Sequence, residues 1–169
     1  MALVLQRCDL MTEVMAPDIL VEEPQGVRVL VVAAVNRAAV DILVRELAGQ
    51  LRDAGWVVEI GNAVTGKLPP PPDYDAIVIV ASAWARWRAI ARYVEWFRDS
   101  LSELPVVVAL VGAHADADAF CARALGWRPS LALSVESAHK ASDRARLLRS
   151  ATRVAGEVIA LHARAKLTV

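Results

Sequence analysis

Residues 61–72 read GNAVTGKLPPPP, and their first seven letters match the G-x-x-x-x-G-K part of a phosphate-cradling loop. That chemistry needs a hydroxyl after the lysine to hold magnesium, then a helix whose first amides face the phosphates. Leu68 stands where the hydroxyl belongs, and four prolines follow. Successive prolines remove donors and clash in a helix, so PPPP predicts extended polyproline. GNAVTGK is read as a turn into a stiff connector. A second constellation, His114-Ala-Asp116-Ala-Asp118, holds the residue types of a metal site, with no second His or Cys at ligand spacing. Aspartates at a helix start act as caps and suit the helix dipole, so capping is the expectation and no metal is assigned. AAVNRAAV, after the first apolar run, lacks the glycines of dinucleotide binding. The strand ends AAVN and VASA lack the acids of a phosphoacceptor, and nothing gathers Ser, His and Asp for hydrolysis.

The 169 residues are 56% hydrophobic and 22% charged, enough for a single globular core. The 19 basic and 19 acidic residues cancel, so no global field favours nucleic acid or an anionic membrane. Charges interrupt every long apolar stretch, which argues against membrane insertion. Cys8 and Cys121 lie far apart and do not form a disulfide framework; the expected setting is the reducing cytoplasm. Charge is uneven locally. Residues 1–26 carry Asp9, Glu13, Asp18, Glu22 and Glu23 against Arg7, whereas residues 140–169 carry Lys140, Arg144, Arg146, Arg149, Arg153, Arg164 and Lys166 against Asp143 and Glu157. Residues 1–26 are expected to be a flexible acidic tail, and 27–169 a single domain.

The elements that must position any site follow from periodicity. Val27–Ala34 (VRVLVVAA) is a nearly continuous apolar run, as in a strand buried on both faces of a parallel sheet. Val40, Leu43, Leu47, Leu51 and Ala54 recur at helical spacing up to Gly55. Trp56–Ile60, Ala76–Ser82, the VVVALVG run after Pro105 and LALSV supply four more strands. Trp87, Ile90, Val94, Phe97 and Leu101 mark one helix, Asp116–Leu125 a short one, and Leu148, Ala151, Ala155, Val158 and His162 the face of the last. Strands alternating with helices predict right-handed crossovers and an open α/β sheet covered on both sides.

The stretch YDAIVIVASAWARWRAIARYVEWFRDSLSELPVVVALVG, with Tyr74, Asp75, Ser82, Arg86, Trp87 and the basic aromatic segment Arg92–Arg98, resembles the flavodoxin-like proteins. It is most similar to the flavodoxin-domain group related to protoporphyrinogen oxidase. VRVLVVAAVNRAAVDILVRELAGQLRDAGWVVEI and LGWRPSLALSV extend the resemblance over most of residues 27–135. It implies the flavodoxin-like three-layer α/β sandwich, with a five-stranded parallel sheet of order 2-1-3-4-5, and a phosphate loop between the first strand and helix.

That loop, Ala34-Val35-Asn36-Arg37-Ala38-Ala39-Val40, lacks the family's hydroxyls, and Val40 offers an apolar wall. Each side-chain bond lost to a charged oxygen is worth about 1.5–3 kcal/mol. The expectation is therefore a domain without cofactor that has lost FMN and serves as a non-catalytic interaction or assembly module. Its partner would be another protein or a second copy, met through Arg86, Arg92, Tyr93, Trp96 and Arg98. The alternative is an FMN-binding electron-transfer protein or oxidoreductase. In that case Asn36, Arg37 and Ala38 face the phosphate, and Trp84, Gly112 and His114 flank the ring.

Overall fold

In the apolar run around Val29 both faces are covered, and this is why it is a strand. β1 (Arg28–Ala33) sends Val29, Val31 and Ala33 into one core and Leu30 and Val32 into another, the two-residue alternation of extended chain. The computed structural model describes residues 26–34, 38–65, 68–83, 87–112, 116–136 and 141–167. The acidic segment before Gly26 lies outside the described residues.

β2 (Val57–Asn62), β3 (Ala76–Ser82), β4 (Val106–Val111) and β5 (Leu131–Val135) complete a parallel sheet in the order β2-β1-β3-β4-β5. This is the expected order. β3 and β4 are buried along their whole length, which fits their lack of polar residues before Ser82. α1 (Ala38–Asp53) and α5 (Ala141–Lys166) cover one face through Leu43, Leu47, Leu51, Ala151, Val154 and Val158. α2 (Trp87–Trp96), α3 (Arg98–Glu103) and α4 (Ala117–Phe120) cover the other. No helix among the described residues is long and apolar enough to cross a membrane.

α1 stops where Gly55 takes φ +83°, a left-handed turn that costs glycine nothing. The Gly55 amide donates to the Arg52 carbonyl and Trp56 to Leu51, closing a Schellman cap. Entry to β3 is pinned as well. Asp75 accepts from the Arg28 amide at 2.7 Å, and the Tyr74 hydroxyl donates to Glu59 at 2.5 Å. The Tyr-Asp pair thus fastens β3 to β1 and β2.

Several expectations need correction. β2 runs on to Asn62, because Val57–Asn62 keep pairing with β1 in register. Pro70 is extended (φ −70°, ψ 142°), but Pro71–Asp73 form one 3₁₀ turn; a proline at a helix start gives up a donor that has no partner there anyway. The single helix expected from Trp87 to Leu101 is two, separated by Phe97 (φ −118°, ψ 20°). The expected short helix over Asp116–Leu125 changes to a π turn at Cys121–Leu125. Leu147 rather than Leu148 is the fully buried leucine of α5.

Candidate functional site

At the carboxyl ends of the strands the pairing closes in step. Ala63 donates to Ala33, Ala83 to Val111 and Gly112 to Val135, at 2.9–3.0 Å. β1 leads to α1 on one face, whereas β3 leads to α2 on the opposite face. Such a switch between neighbouring strands opens a crevice above the sheet, the usual ligand position of open α/β folds. α1 begins beside it, and the first four amides of a helix have no partner within the helix.

Of the residues expected to form a flavin site, Ala38 and Gly112 are described. Ala38 is exposed at the first position of α1, and Gly112 is buried at the end of β4. Asn36, Arg37, Trp84 and His114 lie outside the described residues. Val40 is corrected: it is 1% exposed and belongs to the core shared by α1 and α5, so its side chain is not a wall of the crevice. Ala38, Ala39, Ala83 and Gly112 present small surfaces at the strand and helix ends. Asp41, the acidic residue of α1's first turn, is paired with Arg45 at 3.0 Å. Of the described residues there, the first main-chain amides of α1 are the groups whose chemistry suits an anion.

The expected interaction surface is divided by the fold. Trp96 is 69% exposed and Arg92 is exposed, as expected. Tyr93 is not: it is 2% exposed and packs with Phe97 at 5.1 Å between ring centroids. An apolar helix stripe about 100° wide takes in both i+3 and i+4, so Ile90 brings Tyr93 and Val94 inward together. Arg98 is exposed and donates to the Gly126 carbonyl at 2.8 Å, tying α3 to the end of the π turn. Arg86 lies outside the described residues. Trp87 is half-buried, edge-on to Phe120 at 6.4 Å.

Asp116 caps α4 by accepting from the Ala119 amide at 3.0 Å, as its position predicts. Among the described residues no group of His, Cys, Asp and Glu could hold a metal, and His114 falls outside them. Cys121 is fully buried; burial first, then the nearby Asp118 charge, push its thiol up to about 11. Burial, followed by the hydrogen bond to Glu59, raises the Tyr74 phenol, and burial alone raises that of Tyr93.

A groove of about 480 Å³ opens between the β2–β3 connector and α2, lined by Ala63, Val64, Leu68, Arg88, Ala89, Arg92, Tyr93, Trp96 and Phe97. Sequence reasoning missed it. Its signal was the β2–β3 crossover without an α-helix, together with arginines four apart on the next one.

No family model and no curated protein sequence matches the chain. Solved structures do resemble it. The two-electron reduced flavodoxin of Megasphaera elsdenii has a TM-score of 0.53 at 15% identity, covering 74% of this chain and 98% of that one. NAD(P)H:quinone oxidoreductase from Methanothermobacter marburgensis has a TM-score of 0.52 at 13% identity, with 77% and 98% covered. A diflavin flavoprotein A3 from Nostoc sp. has a TM-score of 0.53 at 15% identity, with 85% and 97% covered. At these identities the likeness shows the fold, which is flavodoxin-like. The narrower kinship with protoporphyrinogen oxidase and a degenerate phosphate loop are not shown. The expectation of no cofactor is corrected, since the fold's relatives are flavodoxins and a flavoprotein and point to a flavin.

Proposed function

We propose that the protein binds FMN in the crevice between α1 and α2 and serves as a flavodoxin-like electron-transfer protein or oxidoreductase. The observation that supports this best is the switch point itself, where β1, β3 and β4 end together beside the first turn of α1. In this reading the α1 amides, Asn36, Arg37 and Ala38 hold the phosphate, and Trp84, Gly112 and His114 flank the ring. Main-chain donors and the helix dipole replace the hydroxyls that the loop lacks. The flavin supplies one- and two-electron chemistry; the chain's part is to bind it, orient it and limit its contact with water.

The test is an FMN titration followed by flavin fluorescence, beside a riboflavin titration and an Ala38→Asp variant. Ala38 is exposed at the start of α1, so an aspartate there favours the helix by about 0.3–1 kcal/mol. It would also face the phosphate dianion. FMN affinity is expected to fall roughly ten- to hundredfold in the variant, with riboflavin affinity and the melting temperature not reduced. A colourless protein that leaves FMN fluorescence unchanged overturns the reading. Equal FMN affinity in the variant removes the phosphate from α1.

A further inference from the structure

We propose that the groove beside α2 is a second ligand site, distinct from the flavin crevice, that takes a small organic anion with a flat apolar body. Each crossover except β2 to β3 carries an α-helix over the sheet. In its place Leu68 lies on β2, so close to Gly61 that a Cβ there would overlap its methyl. The space left between this connector and α2 is the groove, and its volume is that of an ordinary small-molecule pocket.

The lining states the ligand's chemistry. Val64, Leu68, Trp96 and Phe97 form apolar and aromatic walls, and Trp96 stands 69% exposed. An indole in that position is a stacking surface for a planar group. Arg88 and Arg92 sit one helical turn apart along the same groove. Neither has an ion-pair partner among the described residues. Like charges at this spacing oppose one another, and an anion between them relieves the repulsion while accepting from both guanidinium groups. Tyr93 lines the groove from below at 2% exposure, and its hydroxyl has no partner among the described residues. A neutral apolar ligand leaves the arginines unused, and a simple inorganic anion leaves the walls bare.

The probes are 1-anilinonaphthalene-8-sulfonate and its uncharged counterpart N-phenyl-1-naphthylamine, titrated into the folded 169-residue chain by fluorescence. One sulfonate probe is expected to bind per chain, roughly ten- to hundredfold more tightly than the neutral one. An Arg88→Gln/Arg92→Gln variant is expected to lose that preference while keeping the neutral probe's affinity and the melting temperature. Excess FMN should not displace the sulfonate. Equal affinity for the two probes, an unchanged preference in the double variant, or displacement by FMN would each overturn the assignment. So would failure of the sulfonate to bind, including failure relieved only by deleting residues 1–25, which would make the chain's own acidic segment the occupant. If the double variant melts early, Ala89→Trp serves instead: it adds bulk on the groove wall and should exclude both probes.

Discussion

Removing the Tyr93 hydroxyl should make the protein more stable, not less. The side chain is 2% exposed, and its oxygen has neither solvent nor a partner among the described residues. Burying such a group without a hydrogen bond costs about 1–3 kcal/mol, and Tyr93→Phe leaves the ring in place against Phe97. Relief of that cost should raise the melting temperature by roughly 2–12 °C, since each kcal/mol is worth about 2–4 °C in a chain of this size. Tyr93→Leu is the control. It also removes the oxygen but gives up the aromatic pair, worth about 0.5–1.5 kcal/mol, together with ring volume, so it should melt below Tyr93→Phe. Thermal unfolding followed by circular dichroism, without ligand, measures both. A Tyr93→Phe protein that melts several degrees below the parent would show that the hydroxyl is paired in solution, and the account of the groove floor would then be wrong.

Stability should also fall in alkali. Cys121, Tyr74 and Tyr93 are neutral when protonated, and burial raises each in the fold. The unfolded chain therefore loses these protons at lower pH. The stability is full below pH 9.0, the ordinary thiol value, and begins to be lost as pH climbs towards about 11 for Cys121; the tyrosines extend the loss higher. Urea unfolding across that range should show the decline, and Cys121→Ala should make it shallower. Gly55→Ala should cost about 1–2 kcal/mol, because its φ of +83° suits only glycine, and a shift of the urea midpoint would record it.

Sequence alone determined the sheet. The runs at Val29, Ile77 and Val107 lack polar residues on either face, and a chain of that kind must be covered on both sides. That requirement carried the parallel strands and β3's bounds without a coordinate, and the resemblance to flavodoxin-like proteins supplied their order. Gly55 and Asp116 were equally legible, because a left-handed turn and a helix cap are local chemistry written in one residue. What faces what across elements was not legible. Tyr93 looked like a surface aromatic until the sheet showed how wide a stripe of α2 it buries. Val40 looked like a wall of the phosphate loop until α5 enclosed it. The bond from Arg98 to the Gly126 carbonyl, distant in sequence, could not be read from either segment alone. The groove itself exists only where a connector, a strand edge and the next helix meet. Periodicity reports which face of an element is apolar, but the space between two elements depends on their separation and tilt, and only the folded chain fixes those.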